Sequence, residues 1–172
     1  AQIFAAVSLK TGYEFNHWFL TNEDEAYNFD TMPVNDLTLT AKWTKIIYKI
    51  SFETNADISV VSITAAYEDV IQAPTPPLRL GYNFIDWYED QELKIPYVFT
   101  TMPAKNFTLY GKWEPLPYTM EFDSNSGSII TPIIAPVGTI VEKPIPTLPG
   151  HDFINWYRDP DYINEYNDWV MP

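Results

Sequence analysis

Cysteine is absent from the 172 residues, which excludes disulfide staples and thiolate metal sites and leaves both a reducing cytosol and a bacterial exterior open. Histidine occurs twice, as His17 and His151, at non-equivalent places in the pattern described below. Two isolated imidazoles do not make the convergent set that nucleophilic or acid–base catalysis needs, so no catalytic residue is assigned. Basic side chains number 10 against 23 acidic ones, a formal net charge of −13. Phosphate backbones are gripped through Lys and Arg that release counterions, so this balance argues against nucleic acid and anionic membrane surfaces as partners. No apolar run approaches the roughly 18 residues of a membrane-spanning helix, and no membrane insertion is expected. H-E-x-x-H, a Gly-rich phosphate loop and EF-hand spacing are missing too, so no metal or cofactor is expected. The start, "AQIFAAVSLKTG", has neither an initiator Met nor a charged segment before a long apolar one. It falls inside a repeat unit, and the chain is expected to be a window on a longer string.

Hydrophobic residues make up 46% and aromatics 16% of the chain, so a packed core is expected despite 15 prolines. The dominant feature is self-similarity. "GYEFNHWF" at Gly12 returns as "GYNFIDWY" at Gly81 and "GHDFINWY" at Gly150, and "YKISFETN" at Tyr48 returns as "YTMEFDSN" at Tyr118. "TMPVNDLTLTAKW" (Thr31–Trp43) returns as "TMPAKNFTLYGKW" (Thr101–Trp113), and its "MP" recurs at Met171-Pro172. The period is 69 to 70 residues. Residues 1–45 are a partial repeat, the later part of a module; residues 46–114 are a complete module; residues 115–172 are a partial repeat without its closing strand. The junctions are short, Thr44–Ile47 and Glu114–Pro117, and the prolines of the second stiffen it.

Leu37, Leu39, Ala41 and Trp43 alternate with polar residues, as do Phe107, Leu109, Gly111 and Trp113, and Ile50 and Phe52 do the same nearer the start of the module. Period-two alternation marks half-buried strands. Between them, Tyr82 and Phe84 are followed by Ile85 and Trp87, a one-residue slip that a bulge would require. The Pro-rich crossings 73–81 and 143–150 read as extended surface connections. No long helix is visible, but the acidic segments 22–29, 89–96 and 159–167 offer short helical turns. The loop Thr21–Asp30 gathers Glu23, Asp24, Glu25 and Asp30, a set that suits Ca²⁺. Its spacing is not kept in the other repeats, so it reads as a solvated hairpin tip. The residues expected to carry the module are the glycines Gly12, Gly81 and Gly150, with Phe15, Phe84 and Phe153 and the tryptophans Trp18, Trp43, Trp87, Trp113 and Trp156. Large aromatics of this kind each bury about 150–250 Å².

These motifs, in this order, resemble the Listeria-Bacteroides repeat, the internalin B-type B repeat, over nearly the whole chain. The resemblance implies a mainly β, β-grasp-like α+β module of about 70 residues, strung in tandem into an elongated array within secreted or wall-attached bacterial proteins, often adhesins. The usual double glycine after the first strand is "NSGS" in the third repeat and is replaced by "TNADIS" (Thr54–Ser59) in the second, so the two turns need not share a shape. Taken together, the expectation is a non-enzymatic, extracellular, semi-rigid stalk or adhesin spacer at the bacterial cell surface. The alternative is a module that binds a host or cell-surface protein or a glycan. Expected partners are other repeats of the same longer chain, with self-association possible through unpaired strand edges.

Overall fold

A computed structural model describes residues 8–21, 25–30 and 33–171. Eight strands follow in order: β1 (Tyr13–Leu20), β2 (Leu39–Lys45), β3 (Ile47–Glu53), β4 (Ile63–Ala66), β5 (Tyr82–Tyr88), β6 (Phe107–Pro115), β7 (Pro117–Met120) and β8 (Ile133–Pro136). They form a β1-β2 pair, a four-stranded sheet of order β4-β3-β6-β5, and a β7-β8 pair. The fold is therefore mainly β.

No helix occurs among the described residues, so the α component expected of a β-grasp-like module does not appear. Two of the acidic segments, 89–96 and 159–167, instead form turns held by a single carboxylate, while residues 22–24 of the first lie outside the described residues. Asp90 accepts hydrogen bonds from the Lys94 and Ile95 amides at 3.1 and 2.7 Å, and Leu93 between them takes a positive φ of 55°. Asp159 accepts from Ile163 and Asn164 at 3.0 and 2.8 Å, with Tyr162 at φ 57°. A side chain that takes up the local amides competes with helix formation.

In the complete repeat, antiparallel β4 flanks β3, and β6 runs parallel to β3 on its other side with Ile50 opposite Phe107 and Phe52 opposite Leu109. The central strand buries most: Leu109 is fully covered, as are Ile50 on β3 and Trp87 on β5. In the first repeat, among the described residues, β2 pairs with β1. This closing strand begins at Leu39 and not at the expected Leu37, which is exposed, whereas the equivalent Phe107 is in β6 and paired to β3.

The chain divides into two compact units, Ala1–Pro76 with Asp86–Gly111, and Pro77–Ile85 with Lys112–Pro172. These limits do not follow the repeats. The second repeat contributes to both units, and within each unit one repeat is joined to the next.

Candidate functional site: the closing hairpin and the repeat junctions

The slip seen in the Gly-aromatic strand is a bulge. In the β1-β2 ladder, Phe15 lies opposite Trp43 and Trp18 opposite Ala41, with the register shifting between Phe15 and His17. The extra residue puts Phe15, Trp18 and Leu20 on the same face as Trp43, Ala41 and Leu39; strict alternation would have turned Trp18 away. Phe15 meets Trp43 edge-on at 5.4 Å and Trp18 at 5.5 Å. The small Ala41 makes room for the indole opposite it, and Gly111 holds the corresponding place in β6. In β5 the slip is again present, but Ile85 points outward: Ile85 and Asp86 are both exposed between half-buried Phe84 and buried Trp87. A residue in the bulge has no place in the face of the ladder.

Each expected aromatic has a ring partner. Phe84 meets Trp113 edge-on at 5.2 Å, Trp87 packs on Phe52 at 4.6 Å, and Trp156 packs on Phe122 at 5.0 Å and Phe153 at 5.3 Å. The Trp156 indole N–H also donates to the Pro144 carbonyl at 2.8 Å.

The glycines mark the junctions. Only one residue, Ile46, separates β2 from β3, and only Leu116 separates β6 from β7. The Ile46 amide donates to the Gly12 carbonyl at 2.9 Å, and its own carbonyl accepts from the Tyr67 amide at 2.9 Å. At the second junction the Leu116 amide donates to Gly81 at 2.8 Å, and Val137 donates to Leu116 at 3.0 Å. The same two bonds are thus made twice, one to the Gly-aromatic strand of one repeat and one to the turn after the second strand of the next. Gly12 and Gly81 have φ of 78° and 79°, where a side chain is strained. A Cβ on Gly12 would lie 2.2 Å from the Tyr67 ring, and one on Gly81 would lie 3.2 Å from Val137. Gly150 has the same φ, 76°, but nothing within 4 Å of that position.

Polar contacts reinforce the first junction. The Tyr13 hydroxyl donates to Glu68 at 3.0 Å, and this bond to a carboxylate raises the phenol above its ordinary value. Lys45 pairs with Asp69 at 3.0 Å and is raised by that contact. Both groups are open to solvent, so their energetic weight is small.

Sequence reasoning missed three devices. Met102 and Met171 do more than introduce the closing strand: both are buried, and each pairs with the turn after the second strand. Met102 bonds to Glu68 and Asp69, each at 2.9 Å, and Met171 bonds to Gly138 and Thr139 at 3.0 and 2.8 Å. Their recurrence was the available signal; Met32 lies outside the described residues. Thr54 is buried and donates to the Ala56 and Ile58 carbonyls, while the equivalent Ser124 donates to Gly127. Asp90 and Asp159 are likewise 69 residues apart, and their hydrogen bonds to backbone amides hold both carboxyls below the usual carboxylate range.

The remaining candidates do not assemble into a site. Glu23 and Asp24 lie outside the described residues, and Asp30 accepts from Asn28 at 2.8 Å. His17 sits beside Phe19 with its Nε2 buried, and His151 lies 3.1 Å from the Pro149 carbonyl. Among the described residues no group of three metal-ligating side chains forms, and no helix is long and apolar enough to cross a membrane.

Fold and junctions together define a tandem-repeat β protein whose modules are spliced through their backbones. The profile of the Listeria-Bacteroides repeat domain matches residues 5–42, 48–112 and 118–171. The chain belongs to the Listeria-Bacteroides repeat family. It is 37% identical over 157 residues, 87% of its length, to a provisionally named Gly-rich membrane protein of Evansella cellulosilytica. A second provisionally named membrane protein of that organism is 38% identical over 125 residues, 72% of the chain. Internalin H of Listeria monocytogenes is 29% identical over 149 residues, 86% of the chain. The chain spans only 18%, 19% and 26% of the length of these three relatives.

Proposed function

We propose that the chain is a non-enzymatic, extracellular segment of a bacterial surface protein, acting as a semi-rigid stalk or adhesin spacer. The observation that carries this reading is the junction made twice, with one linking residue bonded on both sides. A linker of one residue with both its backbone groups engaged has little freedom to flex, unlike the Gly/Ser tethers that join independent domains. The relatives' names, two membrane proteins and an internalin, support a place at the surface. Small-angle scattering tests the reading: a rod-like distance distribution is expected, and a compact, isotropic particle would sink it.

One observation favours a second reading, a binding module. Tyr157, Arg158, Asp159, Tyr162, Asn164 and Asn167 line an open cleft of about 680 Å³. Tyrosine rings beside amides, a carboxylate and a guanidinium are the groups that stack on and hydrogen-bond to a sugar. Screening against a glycan array, with a pull-down from surface extracts, separates the two readings: a ligand lost on Tyr162→Ala supports the module, and no ligand in either format removes it.

A further inference from the structure

Tension along the chain enters the complete repeat at the start of β3 and leaves it at the end of β6, and these two strands lie side by side. β3 begins one residue after β2, and β6 ends one residue before β7. They are parallel, with Ile50, Ser51, Phe52 and Glu53 opposite Phe107, Thr108, Leu109 and Tyr110. A pull on the start of β3 and the end of β6 therefore acts in opposite directions along one common axis. Parallel ladders space their hydrogen bonds evenly, so that pull loads every bond at once instead of opening the ladder from one end.

The ladder is bracketed by two asparagines. Just before its first pair, the Lys49 amide of β3 donates to the Asn106 side-chain carbonyl at 2.7 Å. Just past its last pair, the Asn55 side-chain amide donates to the Gly111 carbonyl of β6 at 3.0 Å. Both asparagines thus cross the same two strands. Neither strand is an edge, because β4 flanks β3 and β5 flanks β6. Ile50 and Leu109 are fully buried. Exposed backbone hydrogen bonds are the ones that open readily, and here neighbouring strands and buried side chains keep water from the flanks of the ladder.

We infer that the β3-β6 ladder is a shear clamp by which the complete repeat bears tensile load, with Asn55 and Asn106 locking its two ends. The source of the load rests on the stalk reading, whereas the geometry of the clamp belongs to the repeat alone. The junctions direct the force. Ile46 hands tension from β2 to β3 and Leu116 hands it from β6 to β7, so residues 54–106 carry little of it until the ladder shears.

Because cysteine is absent, two introduced cysteines define the attachment points for single-molecule force spectroscopy on the 172-residue chain. Ile47→Cys with Glu114→Cys pulls the ladder in shear. Ile47→Cys with Lys105→Cys pulls the same ladder open from the end where both strands begin. All three positions are exposed. Unfolding in shear should need several times the force of unzipping, and a contour gain of about 3.5 Å per freed residue identifies the event. Asn55→Gly keeps the left-handed turn, φ 54°, and removes one lock; Asn106→Ala removes the other. Each should shorten the lifetime under a constant shearing force about 2- to 10-fold, as the loss of one hydrogen bond from the unfolding barrier implies. Asn106→Asp keeps an acceptor for Lys49, as Asp36 offers at the same place in the first repeat, and should retain the parent lifetime. Equal forces in the two directions, or lifetimes unmoved by both lock variants, would overturn the proposal. Scattering decides the stalk separately: a rod with equal forces loses the clamp alone, and a compact particle that resists shear loses the stalk alone.

Discussion

Three glycines with nearly one φ, 78°, 79° and 76°, sit in three different surroundings, and this separates backbone strain from crowding. Gly150→Ala meets open space and should lose only the left-handed strain, about 1–2 kcal/mol. Gly81→Ala adds a tight contact with Val137 that a small shift relieves. Gly12→Ala drives a methyl into the Tyr67 ring, which must move and take the Tyr67-to-Ile46 hydrogen bond with it. Urea denaturation should rank the losses Gly12 above Gly81 above Gly150. Amide exchange at Ile46 and Tyr67 should accelerate in Gly12→Ala alone, and equal effects at the three sites would refute the crowding argument. The sequence showed that these glycines recur but not why, because their different neighbours come from a repeat 55 residues further on, as Tyr67 does for Gly12. Asp90 and Asp159 give a second prediction at this scale. Hydrogen bonds from backbone amides depress both carboxyls in the folded chain. The unfolded chain therefore binds protons first as pH falls. The stability the two groups add is complete above the ordinary Asp value of about 3.9 and is lost as pH drops through their lower folded values. Carboxyl resonances should titrate below the usual range for both, and Asp159→Asn should flatten the acid limb of a Tm-against-pH curve. An unchanged acid limb would show that the turn does not depend on the charge.

At the scale of the element, the bulge decides which side of the strand carries the tryptophan. Ile85 is 45% exposed while Trp87 is 2% exposed, so chemistry at position 85 matters little and the presence of a residue there matters a great deal. Ile85→Thr should change stability by no more than about 0.5 kcal/mol, as for other exposed positions. Deleting Ile85 restores strict alternation, turns Trp87 out of the core and should abolish cooperative unfolding, read by near-UV circular dichroism and a thermal scan. A folded deletion variant with a buried Trp87 would show that the strand can slip. Alternation in β2, β3 and β6 was legible because each strand has one packed face, and the slip itself was legible from Phe84 and Trp87. Which residue bulges was not, because Asn16, Ile85 and Ile154 occupy that place and two of the three are apolar. The turns escaped for a different reason: their acids suggested helix starts, and only the distances show one carboxylate closing each loop.

For the whole molecule, charge is the property that acts everywhere at once. The chain has 23 acidic and 10 basic residues, and the three ion pairs found among the described residues, Lys45–Asp69, Lys94–Glu92 and Arg158–Asp168, are all substantially exposed. Exposed pairs contribute little and are weakened by salt, while a net charge of −13 repels itself across the molecule and is relieved by the same salt. The two effects oppose each other, and the excess of acids decides the sign: screening removes more repulsion than attraction. Raising NaCl from about 20 mM to about 200 mM, where the Debye length falls below roughly 10 Å, should therefore raise Tm, and Lys45→Ala should leave that rise essentially intact. Calorimetry at the two salt concentrations checks it. A fall in Tm would mean that local pairing outweighs the global field.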